Sequence, residues 1–154
     1  MLMMDYCTGT TLEEYIKSKQ KIPLSATKTI MFQLLYILNQ LHKQGIVHRD
    51  VKPSNILIDD TLRVYLVDFN LAKSVSLDES TKTHSKFKIK FTSPKCSYMY
   101  MPPEMNMTGV EFNESVDIFS VGLILYILVF GFKNYLAISK NKSSSASKNH
   151  GQLM

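Results

Sequence analysis

The chain has 154 residues but only two cysteines, Cys7 and Cys96, which stand far apart. Two distant thiols cannot build the disulfide framework of a small secreted domain, and they lack the paired spacing of a zinc site. Their scarcity favours a reducing intracellular environment, cytoplasmic or nuclear. The length suits one domain, because a chain of about 150 residues buries roughly two-thirds of its unfolded surface.

Long hydrophobic runs are also lacking. The longest covers residues 118–132, has Ser120 as its one polar side chain, and lies between Asp117 and Lys133. A membrane-spanning helix needs about 20 apolar residues, so this run predicts a buried helix instead. The start of the chain, Met1–Asp5, has neither the basic leader nor the apolar core of a signal peptide. We therefore expect no membrane association.

Acidic residues are outnumbered, with 13 Asp and Glu against 18 Lys and Arg. The lysines concentrate in residues 82–95 and 133–148. Such runs can bind an anionic partner such as nucleic acid, but no aromatic residues interleave with the charge in the tail. We favour a solvated loop and tail, and expect no specific nucleic acid binding.

Two helices are predicted before Gly45, which supplies the stop for the second. The first is short and covers Leu12–Lys19, after a turn at Thr8–Thr11. Ser25 can cap the longer one. The longer helix has an apolar face close to the 3.6-residue period, formed by Ile30, Met31, Leu34, Leu35, Leu38 and Leu41.

Short strands and a second helical region complete the pattern of an α+β fold. Residues 1–7 predict one strand, and Ile56–Ile58 and Val64–Val67 predict two more across a hairpin-like turn at residues 59–61. Residues 70–100 predict a long loop. Apolar residues surround the whole circumference of a predicted helix at Val116–Phe130, as in a helix buried on all sides.

The residues best suited to catalysis lie in two short motifs. The first is His48–Asn55, with the sequence His-Arg-Asp-Val-Lys-Pro-Ser-Asn, and the second is Asp68-Phe69-Asn70. This spacing can hold a divalent metal, a phosphate and a hydroxyl nucleophile together. The two motifs resemble the catalytic loop and the metal-binding motif of eukaryotic protein kinases. A Lys at position 52 resembles the serine/threonine-specific branch of the protein kinases. The wider motif is similar to that of the cell-division-cycle kinases of replication origins.

The resemblance covers about residues 1–132 and implies a protein-kinase-like fold, mostly the helical large lobe. We expect a partial kinase domain at residues 1–139, truncated at both ends. Residues 140–154 are rich in Ser, Lys and Asn and predict a disordered tail. The implied reaction is transfer of the ATP γ-phosphoryl group to a protein Ser or Thr.

Four residues carry the predicted catalysis. Asp50 would accept the proton of the attacking hydroxyl, and Lys52 would place a cation at the transferred phosphate. Asn55 and Asp68 are oxygen donors suited to Mg²⁺. The hairpin between Asn55 and Asp68 would bring these two donors back to one edge.

Further roles follow from the resemblance alone. The stretch Leu2–Cys7 followed by Gly9 is similar to the family's hinge, where the backbone of Asp5 and Cys7 would bond the adenine edge. Met4 would guard the pocket and Leu57 would lie under the base. Lys52, Asn55 and Asp68 complete the implied nucleotide and metal contacts.

His48 and Phe69 resemble packing residues rather than catalytic ones. Arg49 resembles a residue that pairs with a phosphorylated loop side chain, Thr92 or Ser93, although a simple pair with a carboxylate stays open. Residues 96–104 align with the end of the activation segment, where Ser97 replaces the usual Thr. Asp117, at the start of the central helix, would bond the backbone of the catalytic loop.

Three departures from the family pattern matter. Asn70 stands where the family has a Gly that permits positive φ, which Asn also tolerates, and Cys96 replaces another Gly. The chain begins at the hinge, without a Gly-rich loop, strand Lys or partner Glu. After Phe132 the later helices are absent, together with the Arg that would pair with Glu104.

We therefore expect the 154-residue chain to have no appreciable phosphotransferase activity by itself, and its central helix to leave an apolar patch uncovered. The alternative is a non-catalytic, pseudokinase-like binding module that docks a full kinase or its regulator. The expected partners are ATP with Mg²⁺, a protein substrate and a regulatory protein.

Overall fold

The computed structural model describes residues 8–19, 21–74, 89–90, 99–103 and 111–137. The predictions for residues 1–7, for most of the loop at 70–100, for Cys96–Ser97, for Glu104 and for the tail from Lys140 lie outside these residues. Residues 89–90 and 111–112 form a small antiparallel pair, β6 (Ile89–Lys90) with β7 (Glu111–Phe112).

The first helix, α1 (Leu12–Ser18), begins with a capping box. The Thr11 Oγ1 atom accepts a hydrogen bond from Glu14 N at 3.1 Å, and Glu14 Oε2 accepts one from Thr11 N at 2.9 Å. These bonds satisfy backbone donors that the helix itself leaves unpaired. The hydrogen bonds from Thr11 lower the pKa of Glu14. Thr10–Thr11 form strand β1, where the sequence predicted only a turn.

The second helix, α2 (Leu24–Lys43), begins before Ser25, so the predicted cap at Ser25 is wrong. Pro23 occupies the cap position, and its carbonyl accepts hydrogen bonds from both the backbone N and the Oγ1 of Thr27 at 3.0 and 3.2 Å. The predicted stop at Gly45 is confirmed, since Gly45 adopts a φ of 70° just beyond the helix. On the predicted apolar face, Leu35 is 43% exposed, while Ile30, Leu34 and Leu38 are fully buried.

The predicted hairpin is confirmed as β3 (Ile56–Ile58) paired antiparallel with β4 (Val64–Leu66). Its turn is held by Asp59 Oδ1, which accepts hydrogen bonds from Thr61 N and Arg63 N at 2.9 Å each. β1 pairs with the other edge of β3. Gly9 is needed for this approach, because a Cβ there would lie 2.6 Å from the Ile58 carbonyl oxygen. Strand β2 (Ile46–Val47) pairs with β5 (Lys73–Ser74).

Helix α3 (Ser115–Phe130) crosses the molecule beside α2. Gly131 ends it with a φ of 88°, and residues 132–137 are again helical, which we call α4. The buried side of α3 joins the core that α1, α2 and the hairpin also form, through Val121, Ile124, Ile127 and Leu128.

The opposite side of α3 is uncovered, as the sequence predicted for this chain. We call it the outer stripe, defined as Ile118, Gly122, Leu125 and Val129, which recur at helical spacing. The three large side chains are each more than 40% exposed, and a Cβ at Gly122 would meet nothing within 4 Å. In the described part of the chain, no helix has the length and apolar character to cross a membrane.

Candidate active site

A single buried carboxylate holds the loop that carries the sequence motif. Asp117, in the first turn of α3, is 1% exposed. Its Oδ2 accepts a hydrogen bond from His48 N at 2.9 Å, and its Oδ1 accepts one from Arg49 N at 2.8 Å. The His42 Nε2 atom donates to Oδ2 at 2.8 Å. The predicted bond from Asp117 to the loop backbone is therefore confirmed.

This clamp fixes an unusual backbone at Arg49, whose φ is 66°. A non-glycine residue in the left-handed region costs on the order of 1 kcal/mol or more, so it persists only when its surroundings hold it there. The Arg49 Nε atom donates to the Leu71 carbonyl oxygen at 2.5 Å, which ties the loop to the segment after Asp68. The predicted phosphate acceptors Thr92 and Ser93 lie outside the described residues, so the role of Arg49 in binding phosphate stays a prediction.

His48 is a packing residue, as predicted. Its side chain is fully buried, and its ring meets the Phe69 ring edge-on, with centroids 4.8 Å apart. Because the Val67 carbonyl can only accept, His48 Nε2 carries the proton and donates to it at 3.1 Å. His48 Nδ1 then accepts from Asp50 N at 3.3 Å. Burial lowers the pKa of His48, against the opposing effect of Asp117. Of the two rings, that of Phe69 is the more exposed, with 44% of the residue accessible to solvent.

Asp50 lies between two donors from its own loop. Its Oδ2 accepts hydrogen bonds from Lys52 Nζ at 2.7 Å and from Asn55 Nδ2 at 3.0 Å. The same Asn55 nitrogen also donates to the Asp50 carbonyl oxygen at 2.9 Å. Three of the predicted catalytic residues are therefore in direct contact. Among the described residues, none donates a hydrogen bond to the Oδ1 atom of Asp50.

The hairpin brings the second motif back to the first. The Val67 N atom donates to the Asn55 carbonyl oxygen at 2.9 Å, which extends the pairing of β3 with β4 by one residue at the open end of the hairpin. Asp68 follows Val67 directly and is exposed. The predicted return of Asn55 and Asp68 to one edge agrees with this pairing.

The left-handed backbone expected at residue 70 is instead at Asp68. Asp68 is left-handed, with φ 64° and ψ 73°, and its Oδ1 accepts a hydrogen bond from Asn70 N at 3.4 Å. Asn70 lies inside a 3-10 helix, Phe69–Leu71, and does not have a positive φ. The expectation that residue 70 needs a permissive left-handed backbone is wrong here, because Asp, a residue that tolerates this conformation, takes it two positions earlier.

The donor chemistry fits Mg²⁺ at Asn55 and Asp68. Among the described residues, no group of three or more His, Cys, Asp or Glu side chains could hold a metal ion. Mg²⁺ does not require one, because it keeps several waters and takes only one or two protein oxygens beside phosphate. The Nδ2 atom of Asn55 donates both of its hydrogen bonds to Asp50. The Asn55 Oδ1 atom, which is the side-chain atom of Asn55 able to bind a cation, therefore points away from the Asp50 carboxylate.

The other predicted nucleotide contacts are only partly described. Leu57 lies in the middle of β3, half-buried, between Thr11 on one side and Tyr65 on the other. The predicted hinge residues Asp5 and Cys7, with Met4, lie outside the described residues. Their roles stay predictions.

Two contacts at the site were missed by the sequence analysis. His42, at the end of α2, shares the Asp117 carboxylate, and no sequence pattern links residues 75 positions apart. The short segment 99–103 is held by Ser120, whose Oγ donates to the Tyr100 carbonyl oxygen at 2.8 Å. The Tyr135 ring stacks on Tyr100 with centroids 5.9 Å apart, and burial raises the pKa of Tyr100. The sequence did carry a signal for the contact of Tyr100 with Tyr135, because one of these aromatic residues precedes α3 and the other follows it.

Comparison with known proteins agrees with this geometry. The family model of the protein kinase domain matches residues 1–154. The chain belongs to the protein kinase family. It is 36% identical over 130 residues to a probable serine/threonine-protein kinase of Clostridium perfringens, covering 84% of this chain and 18% of that protein. It is 33% identical over 150 residues to a putative ribosomal protein S6 kinase alpha-2 of Caenorhabditis elegans, covering 94% of this chain and 19% of that protein.

A third relative is a probable serine/threonine-protein kinase of Dictyostelium discoideum, 30% identical over 154 residues, covering 92% of this chain and 33% of that protein. The chain therefore spans a third or less of the length of these relatives. Members of the family use ATP and Mg²⁺. The predicted partial α+β kinase fold is confirmed, while the resemblance to the cell-division-cycle kinases stays a prediction.

Proposed function

We propose that this chain carries the catalytic loop of a protein serine/threonine kinase, which transfers the ATP γ-phosphoryl group to a hydroxyl of a protein substrate. The observation that carries the proposal is the contact of Asp50 with Lys52 and Asn55 on a loop clamped by Asp117. Phosphoryl transfer depends on positioning and charge stabilisation more than on covalent chemistry. A loop with fixed side chains supplies both.

Asp50 orients and deprotonates the substrate hydroxyl. Lys52 and Asn55 hold Oδ2, so Oδ1 is the oxygen that meets the incoming hydroxyl. The hydroxyl oxygen forms the new bond to the γ-phosphorus, the bond to the ADP oxygen breaks, and the hydroxyl proton passes to Asp50. A positioned base of this kind contributes about 100- to 10,000-fold in rate.

Lys52 stabilises the charge that develops on the transferred group. Its ammonium lies 2.7 Å from Asp50 Oδ2, so a phosphate next to Asp50 would be within reach of the same cation. A fixed positive charge at that position favours the transition state over the separated reactants.

Asn55 and Asp68 would hold Mg²⁺, and the nucleotide would extend from there across Leu57 to the backbone of Asp5 and Cys7. When bound, the ion neutralises charge on the phosphate oxygens. The two bonds of the Asn55 amide to Asp50 support this role, and the hairpin pairing that ends at Val67 supports the placement of Asp68 near Asn55.

The proposal extends to domain limits and location. Residues 1–139 form the kinase part and residues 140–154 a Ser/Lys-rich disordered tail. ATP as the phosphoryl donor makes the location intracellular, cytoplasmic or nuclear, with no role for nucleic acid or membrane.

A chimera tests the proposal directly. Residues 1–139 replace the matching segment in the domain of a serine/threonine kinase relative, and transfer of radiolabelled phosphate to a basic protein substrate is measured. We expect transfer that Asp50→Asn lowers by about 100- to 10,000-fold. The matched control is Asp60→Asn, a change at an exposed carboxylate in the hairpin turn. A folded chimera whose Asp50→Asn variant works as well as the control would refute the proposal.

A second candidate is a non-catalytic binding module for a kinase or its regulator. The uncovered outer stripe of α3 favours it, because an apolar face of that kind is usually an interaction surface. In that case the Asp50→Asn variant of the 154-residue chain would associate with the partner as tightly as the unaltered chain does.

A further inference from the structure

A cavity of about 850 Å³ is lined by residues from two parts of the chain, 16–22 and 127–134, both outside the catalytic loop. The carboxyl end of α1, the link to α2, and the junction of α3 with α4 line it. None of the residues placed in the candidate active site contributes to its lining. Its size lies within the range of about 300–1,000 Å³ that is typical of ligand pockets.

The floor of this cavity is apolar. Ile16, Ile22 and Leu128 are buried core residues that reach its base, and Phe130 and Phe132 stand at its wall. Phe130 is 57% exposed. An aromatic or branched side chain entering the cavity would therefore bury apolar surface against apolar surface, which is the main source of binding energy for such a group.

Four lysines surround this floor, namely Lys17, Lys19, Lys21 and Lys133, and no Asp or Glu is among the described residues that line it. We call the cavity with these lysines the basic pocket. Lys17 Nζ lies 2.6 Å from Glu13 Oε1, so this charge is already compensated. The Lys19 ammonium lies 5.7 Å from the Tyr15 ring centroid. Among the described residues, Lys21 and Lys133 make no ion pair.

The positive charge of the basic pocket indicates which kind of partner could bind in it. The segment after the described residues, 138–154, contains Lys140, Lys142 and Lys148 and no acidic residue, so it does not complement the basic pocket. A second copy of the chain, with a net charge of +5, is also a poor match. The apolar floor argues against a ligand that offers phosphate alone.

We propose that the basic pocket docks an acidic peptide segment of another protein, whose aromatic or branched side chain enters the cavity while its carboxylates pair with Lys21 and Lys133. This docking does not depend on the phosphotransfer proposed above, because the basic pocket and the Asp50 loop share no residue. Docking in this way would hold a protein partner on the lobe whatever the state of the catalytic loop.

The test measures binding of a short fluorescein-labelled peptide, made of Asp and Glu around a central Phe-Leu pair, to the full 154-residue chain by fluorescence anisotropy. We expect the double variant Lys21→Glu/Lys133→Glu to weaken binding by at least about tenfold, because charge reversal replaces two attractions to the peptide with two repulsions. The matched control is Lys28→Glu/Lys43→Glu, which reverses two exposed charges on α2 outside the pocket. It should leave the affinity within about twofold.

The apolar contribution is tested separately. Phe130→Ser in the pocket wall should weaken binding, whereas Leu24→Ser, at a similarly exposed position on α2, should not. A peptide with Ser-Ser in place of Phe-Leu should bind weakly to every variant. Raising the salt from about 0.1 M to about 1 M shortens the Debye length from about 10 Å to about 3 Å and should weaken the binding of the acidic peptide.

Several outcomes would overturn the proposal. One is an acidic peptide that fails to bind a chain whose circular dichroism shows it folded. Others are equal affinity for the Phe-Leu and Ser-Ser peptides, or equal loss in both charge-reversal variants. Tighter binding of single-stranded RNA than of the peptide, with the same dependence on Lys21 and Lys133, would assign the pocket to nucleic acid instead.

Discussion

The two sides of α3 differ in a way that their composition does not reveal. On one side Asp117 receives three hydrogen bonds and Ile124 is fully buried in the core. On the other side the outer stripe, Ile118, Gly122, Leu125 and Val129, lies open. Both sides are apolar apart from Ser115, Asp117, Ser120 and the hydroxyl of Tyr126, so hydrophobicity alone does not decide which side finds partners. The side of α3 that is buried is decided by the positions of α2 and the catalytic loop, because both pack against that side only.

Contacts among the described residues hold the backbone of the loop, whereas the large side chains of the outer stripe stay more than 40% exposed. The loop needs one carboxylate, two backbone donors and the end of α2. Each of these groups is placed by elements that also share the core.

The largest effect is expected from Asp117→Ala. The change leaves the backbone N–H groups of His48 and Arg49 without their acceptor, and buried donors cost about 1–3 kcal/mol each when unsatisfied. We expect the free energy of unfolding to fall by about 3–5 kcal/mol, a large part of the usual total of about 5–15 kcal/mol.

Urea unfolding followed by circular dichroism measures this loss. The control is Asp60→Ala, an exposed carboxylate in the β3–β4 turn, for which we expect a change within about 0.5 kcal/mol. Equal costs for the two variants would mean that Asp117 does not hold the loop.

A pH effect is expected from His48 on the buried side. Burial lowers the pKa of His48 in the folded chain, so the unfolded chain binds the proton more readily. Stability is then fully present above the ordinary pKa of about 6.5 and is lost as the pH falls below it, at up to about 1.4 kcal/mol per pH unit. The slope of unfolding free energy against pH, from pH 7 downwards, checks this.

The matched variant is His48→Phe, which keeps an aromatic ring against Phe69 and removes the titrating group. It should be less stable at neutral pH, because the hydrogen bond to Val67 is lost, but its slope should be flatter. An unchanged slope would show that the dependence comes from another histidine.

The smallest effect on stability is expected on the outer stripe. Leu125→Ser/Val129→Ser changes two exposed side chains, so the free energy of unfolding should move by no more than about 1 kcal/mol for the pair. Self-association measured by sedimentation should fall at the same time, because less apolar surface is offered. Ile124→Ser on the buried side is the contrast, with an expected loss of about 2–5 kcal/mol for such a core truncation. A large loss from the stripe variant would mean that the stripe is covered.

Much of the loop was predictable from sequence because its residues are close together in the chain. Asp50, Lys52 and Asn55 lie within six residues, and the apolar strands between Asn55 and Asp68 signalled the hairpin that returns the second motif. The contact of Asp117 with the loop was predicted only through the family resemblance. Periodicity alone marks Asp117 as the polar end of an apolar helix.

Other features have no local signal. The left-handed backbones of Arg49 and Asp68 are imposed by bonds to Asp117, Leu71 and Asn70, which are tertiary or follow from the turn. Strands of two residues, such as β1 and β5, are too short for an alternating pattern. The helix start at Pro23 was missed because Ser25 carries the stronger side-chain signal, although the Pro23 carbonyl was available to Thr27.

The proposed role of Asp68 and Asn55 is to bring a metal-bound nucleotide to Asp50, and a change of metal preference tests this role. In the chimera described above, Asp68→Cys replaces a hard oxygen donor with a soft thiolate, which prefers Cd²⁺ to Mg²⁺. The account predicts that Asp68→Cys loses phosphate transfer with Mg²⁺ and regains part of it with Cd²⁺, while Asp60→Cys keeps the original preference. Full activity of Asp68→Cys with Mg²⁺, or a loss that Cd²⁺ does not relieve in any measure, would contradict it.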